Sequence, residues 1–234
     1  MSPGTAEFLS TLQTIYLAVE LWAMVVFFVT RRFQRPSGNY LGVVLTLSFL
    51  TDAFMTLSVH FLHLGQTINA VANTYGLFEG ILIILLYGSE ASRSKKLPWY
   101  LLSGAYALGV LLEMFVFRGP MAFPGTTRSV LGIIITIFAL LHFFKLVRDL
   151  PSVSIFRVSM FWINGGMLIY FSGNLFLFAM ADYLIYVLKD NMILYWSSHN
   201  FLGIVSYTFF AIALWQARRN SLQSPKSDLP TVEV

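Results

Sequence analysis

The stretch Ala70 to Ser89, AVANTYGLFEGILIILLYGS, carries one charge, Glu79, and is followed at once by the basic cluster Arg93, Lys95 and Lys96. About 20 such residues, rising roughly 1.5 Å each as an α-helix, cover the hydrocarbon core of a bilayer. A water-soluble helix of that length would need a charged face, and this one has a single carboxylate. Six further segments read the same way: Phe8 to Val29, Tyr40 to Leu64, Pro98 to Phe117, Ser129 to Val147, Phe156 to Ala181 and Met192 to Gln216. The fold class expected is therefore all-α, a polytopic membrane protein built as a seven-transmembrane-helix bundle.

Composition agrees. The 234 residues are 57% hydrophobic and 11% charged, against about 45–50% and 25% for a soluble domain. The chain has no cysteine, which excludes disulfides, thiolate nucleophiles and iron–sulfur or cysteine-held zinc sites. Neither GxxxxGK[ST] nor GxGxxG occurs, so no nucleotide-binding loop is expected. Residues 1–219 read as the membrane domain and 220–234 as a disordered cytoplasmic tail rich in Ser and Pro. Met1 to Leu9 holds only Glu7 as a charge, so the first segment reads as a retained helix and not as a cleaved signal, and the mature protein is expected to begin at Met1.

Orientation follows from the basic residues, which gather on cytoplasmic loops. Twelve of the fifteen lie on one side: Arg31, Arg32 and Arg35, then Arg93, Lys95 and Lys96, then Lys145, Arg148 and Arg157, then Arg218, Arg219 and Lys226. Arg118, Arg128 and Lys189 lie on the other. The N-terminus is thus expected outside and the C-terminus in the cytoplasm, in a bacterial inner (plasma) membrane. The net charge of +4 fits this topology and contact with anionic lipid, and nucleic acid is not expected as a partner. Trp99, Trp196 and Trp215 fall at segment ends, as an aromatic belt requires.

Tyr75, Glu79 and Tyr87 recur 120 positions later as Tyr195, His199 and Tyr207. This spacing suggests a 3+1+3 helix repeat, in which helices one to three correspond to five to seven. An offset of 122 pairs Asp52 with Asn174.

Ionisable side chains inside a membrane are costly, so each marks a candidate site. Glu20, Asp52 and Glu79 lie near the centres of the first three helices and form a midplane polar layer, with no Lys or Arg near a span centre to pair with them. Their plain reading is neutral acids joining helices by hydrogen bonds. A second set lies toward the outer end: His60 and His63 on one face of helix two, Glu113, Asn174, His199 and Asn200, with Glu79 beneath. At helical rise, His199 and Asn174 share a depth roughly 8 Å above the centre. Together these residues define a candidate ligand pocket.

Three chemistries suit that set. His60 or His63 with His199 and Glu79 would supply two imidazoles and a carboxylate for zinc in a lipid hydrolase, although no HExxH is present. Facing histidines of helices two and seven could hold haem. Alternatively, imidazoles and amides hydrogen-bond a small ligand. Retinal is argued against, because Met192 to Gln216 has no lysine to form a Schiff base.

The segments Phe161-Trp162-Ile163-Asn164, Leu168 to Phe176 (LIYFSGNLF) and Trp196-Ser197-Ser198-His199-Asn200 resemble those of uncharacterised small seven-helix bacterial membrane proteins associated with two-component histidine kinases. The resemblance covers helices six and seven. It implies a sensory or accessory role with a membrane partner such as a histidine kinase, and Asn174, His199 and Asn200 as the shared polar positions. The expected function is a membrane sensor or signalling accessory with an outward-facing polar pocket coupled to a partner protein. A small proton- or cation-linked transporter is the alternative, followed by the metal-dependent lipid hydrolase.

Overall fold

A computed structural model of the chain describes residues 3–58, 68–92, 95–122, 125–149, 155–179, 183 and 192–223. Among the described residues all regular structure is helical. Among these residues seven helices are long and apolar enough to cross a membrane: α1 (Pro3–Thr30), α2 (Pro36–Leu57), α3 (Ile68–Ser89), α4 (Leu97–Leu112, its span continued to Phe117), α5 (Gly125–Asp149), α6 (Ser159–Ala179) and α7 (Met192–Gln223). Consecutive helices pack side by side from α1 to α4 and from α5 to α7, and α7 returns to pack along α1. Phe28, Phe115, Leu141 and Phe144 point outward, while Leu45, Ile84, Tyr87, Met167 and Leu214 fill the interior. Apolar groups on both sides are what a lipid-facing bundle requires, since lipid and core are equally hydrophobic.

The helix ends have local causes. Pro36 and Pro98 stand in the first turns of α2 and α4, where proline's fixed φ fits and its missing N–H costs nothing. The last turn of α4 widens into a π-turn over Glu113–Phe117, closed by Arg118 N–H donating to the Glu113 carbonyl at 3.0 Å. Gly119 then reverses the chain at φ +86°, a conformation that favours glycine.

Several boundaries differ from the sequence expectation. α2 starts at Pro36, not Tyr40, because the proline initiates it. The outer part of the second segment, with His60 and His63, lies outside the described residues. α7 continues to Gln223, so residues 220–223, read as the start of the tail, are its last turn. α5 begins at Gly125, four positions before Ser129, which moves Arg128 from an outer loop into the first turn of a membrane helix.

The 120-residue spacing has a structural counterpart. Tyr87 on α3 donates to Asn164 on α6 at 3.1 Å, and Tyr207 on α7 shares a 2.7 Å hydrogen bond with Ser48 on α2. Each tyrosine thus reaches the middle helix of the opposite three-helix unit. The units differ where they meet: α1 and α7 pack extensively, α3 and α5 only lightly.

Candidate functional site

At the end of the bundle opposite the basic loops, a cavity of about 240 Å³ opens between α1, α2, the start of α3 and α7. Gln13, Tyr16, Asp52, Trp196, His199 and Asn200 contribute to its walls. Three of these, Asp52, His199 and Asn200, are sites expected from the sequence. Gln13 and Tyr16 are not, although Tyr16 stands one helical turn from Glu20 and therefore on its face.

Each polar wall residue is fixed by another. Asn200 donates to Gln13 Oε1 at 2.8 Å, tying α7 to α1. Asn174, fully buried on α6, donates its amide hydrogen to the Tyr170 carbonyl at 2.8 Å. Its Oδ1 then faces His199 Nδ1 at 2.9 Å. Because an amide oxygen only accepts, Nδ1 carries the imidazole hydrogen and Nε2 keeps a lone pair. Around the imidazole lie the rings of Tyr16, Tyr170, Tyr195 and Trp196, with centroids 5.7–6.3 Å away.

Tyr16 reaches the cavity because α7 has no side chain at Gly203. A Cβ there would collide with the Tyr16 ring. Gly203 is thus the groove in which this tyrosine lies. Its hydroxyl donates to Asp52 Oδ2 at 2.7 Å and lies 3.4 Å from the Tyr207 hydroxyl, which bonds Ser48. Beneath this chain Glu20 is fully buried. Its carboxyl faces Ser48 and Tyr207, yet neither oxygen completes a hydrogen bond among the described residues.

Glu79 does not line the cavity and is paired with a cation. Arg128 Nη1 lies 3.7 Å from Glu79 Oε2, and the two side chains are 13% and 5% exposed. This corrects the expectation that no basic residue would pair with the midplane acids: starting α5 earlier turns Arg128 into the bundle. Tyr75 donates to Glu79 Oε1 at 3.0 Å, and Arg128 Nη2 donates to the Ala72 carbonyl at 3.0 Å. Gly76 leaves room for the guanidinium, since a Cβ there would come within 2.9 Å of Nη2.

Glu113 is not in the cavity either. Buried in the π-turn of α4, it accepts from Thr127 N–H at 3.0 Å and lies 3.9 Å from Arg118. A carboxylate in that place satisfies an orphan amide of the α5 N-terminus and complements its dipole. The proposed zinc set divides in the same way: His199 is held by Asn174 and Glu79 by Arg128, and His60 lies outside the described residues. Among the described residues, no three His, Asp or Glu side chains are grouped to hold a metal ion.

No protein-family model, curated protein or solved structure matches this chain.

Proposed function

We propose that this integral membrane protein is a sensor whose outward-facing cavity binds a small protonated amine. The observation that carries the reading is Asp52. It is the one charged side chain lining the cavity among the described residues, and Tyr16, a neutral donor, is the group that holds it. Trp196 and Tyr16 add aromatic surface, and His199 Nε2 and the Gln13 and Asn200 amides add orienting polar groups. A carboxylate, aromatic walls and, among the described residues, a lining without Lys or Arg are elements that recognise an organic cation.

Coupling would follow from the helices involved. α1, α2 and α7 line the cavity at one end and carry Arg31, Arg32, Arg35, Arg218 and Arg219 at the other. A ligand that changes their packing alters the basic surface offered to a partner. The excess of Lys and Arg there supports a cytoplasmic location for that surface in a bacterial inner membrane. The resemblance of α6 and α7 favours a membrane partner such as a histidine kinase. A second reading, proton- or cation-linked transport, is favoured by the chain Asp52, Tyr16, Tyr207 and Ser48, which leads from the cavity to Glu20.

The absence of native cysteines allows a direct test. In right-side-out vesicles, Met55→Cys in the cavity wall is expected to react with a membrane-impermeant maleimide and to be protected by primary alkylamines. Ala211→Cys, at 1% exposure, is the unreactive control. Labelling of Met55→Cys only after permeabilisation would overturn the orientation, and no labelling would overturn an open cavity.

A further inference from the structure

At the opposite, basic end of the bundle a second and larger cavity, about 470 Å³, lies between the α1–α2 turn, the start of α6 and the last turns of α7. It shares no lining residue with the amine cavity and is independent of that reading. Among the described residues its lining holds hydrogen-bond donors and a cation but no carboxylate. Two helices begin at it: α2 at Ser37 and Gly38, and α6 at Ser159 and Met160. First-turn amides have no intrahelical partner, and the helix dipole makes each start electropositive.

The side chains point the same way. Ser37 is 3% exposed and lines the cavity, and its hydroxyl makes no hydrogen bond among the described residues. Arg35, the residue preceding α2, also lines the cavity and makes no ion pair there. Arg218 stands beside the Phe33 wall at 5.9 Å, and its buried Nε has no acceptor among the described residues. Gln34, by contrast, is already spent, donating to Thr30 Oγ1 and the Leu214 carbonyl.

We propose that this cavity binds a phosphate group, held by the α2 amides, the Ser37 hydroxyl and the Arg35 guanidinium. Unpaired donors at the α2 start, facing a second helix start and with no competing carboxylate among the described residues, suit an oxyanion. Phe33, Val158 and Met160 form an apolar wall beside the donors. The phosphate can come from a lipid headgroup or from solution.

Protein purified in a maltoside detergent would be titrated with inorganic phosphate, with dioleoyl phosphatidic acid in mixed micelles, and with dioleoylglycerol as the uncharged control. Binding would be read by native mass spectrometry. One saturable phosphate-bearing molecule per chain is expected, and none of the dioleoylglycerol. Saturation by phosphatidic acid alone identifies a lipid source, and saturation by inorganic phosphate identifies a free one. Arg35→Gln, at an exposed position that keeps the fold, and Ser37→Ala are each expected to weaken binding about tenfold. Arg31→Gln, outside the cavity, leaves it unchanged. Absence of saturable binding by both phosphates, or unaltered binding in Arg35→Gln, would overturn the site.

Discussion

Replacing Arg128 with methionine is expected to destabilise the bundle by about 3–5 kcal/mol, because it leaves a buried carboxylate without its cation. Glu79 has the Tyr75 hydroxyl as its other partner, and one neutral donor does not compensate an ion in this setting. The same change removes the hydrogen bond that Arg128 donates from α5 to the Ala72 carbonyl of α3. Adding Glu79→Gln to Arg128→Met removes the uncompensated charge and is expected to restore most of the loss. The double variant separates the pair from simple packing. Reversible unfolding in mixed micelles measures both values, and a loss below about 1 kcal/mol for Arg128→Met would place the pair among weak surface contacts.

Asp52→Ala is expected to lower the affinity of the cavity it lines for alkylamines by about thirtyfold or more. A partly desolvated carboxylate that pairs with a ligand cation contributes about 2 kcal/mol or above when truncated. Asp52→Asn keeps the shape and an acceptor for Tyr16, so it isolates the charge. Both variants are expected to lose amine binding while Asn retains stability. Titration calorimetry in detergent with primary alkylamines, quaternary alkylammonium ions and the matching uncharged alcohols checks this, and a uniform change across charged and uncharged ligands would point to altered shape, not to recognition of a cation.

The membrane spans were legible because hydropathy is a property of consecutive residues. Their number held, and so did the shared depth of Asn174 and His199, which meet across α6 and α7. Pairings between distant helices were not legible in the same way. Arg128 reads as a loop charge because it borders an apolar run, and only the earlier start of α5 turns it toward Glu79. Glu113 reads as a pocket acid by depth alone, whereas the π-turn of α4 directs it to the α5 N-terminus. Tyr16 carries no ionisation signal at neutral pH, and its role depends on the gap at Gly203, more than 180 residues later. The second cavity was equally hidden, since helix starts become a binding surface only when folding brings two together.

The most direct measurement is native mass spectrometry of the protein gently extracted from its own membrane, comparing wild type, His199→Ala and Asp52→Asn. A stoichiometric small cation on the wild type, absent from both variants, is the expected result. A bare 26.5 kDa chain in all three, or a bound molecule retained equally by both variants, would contradict a ligand site at Asp52 and His199.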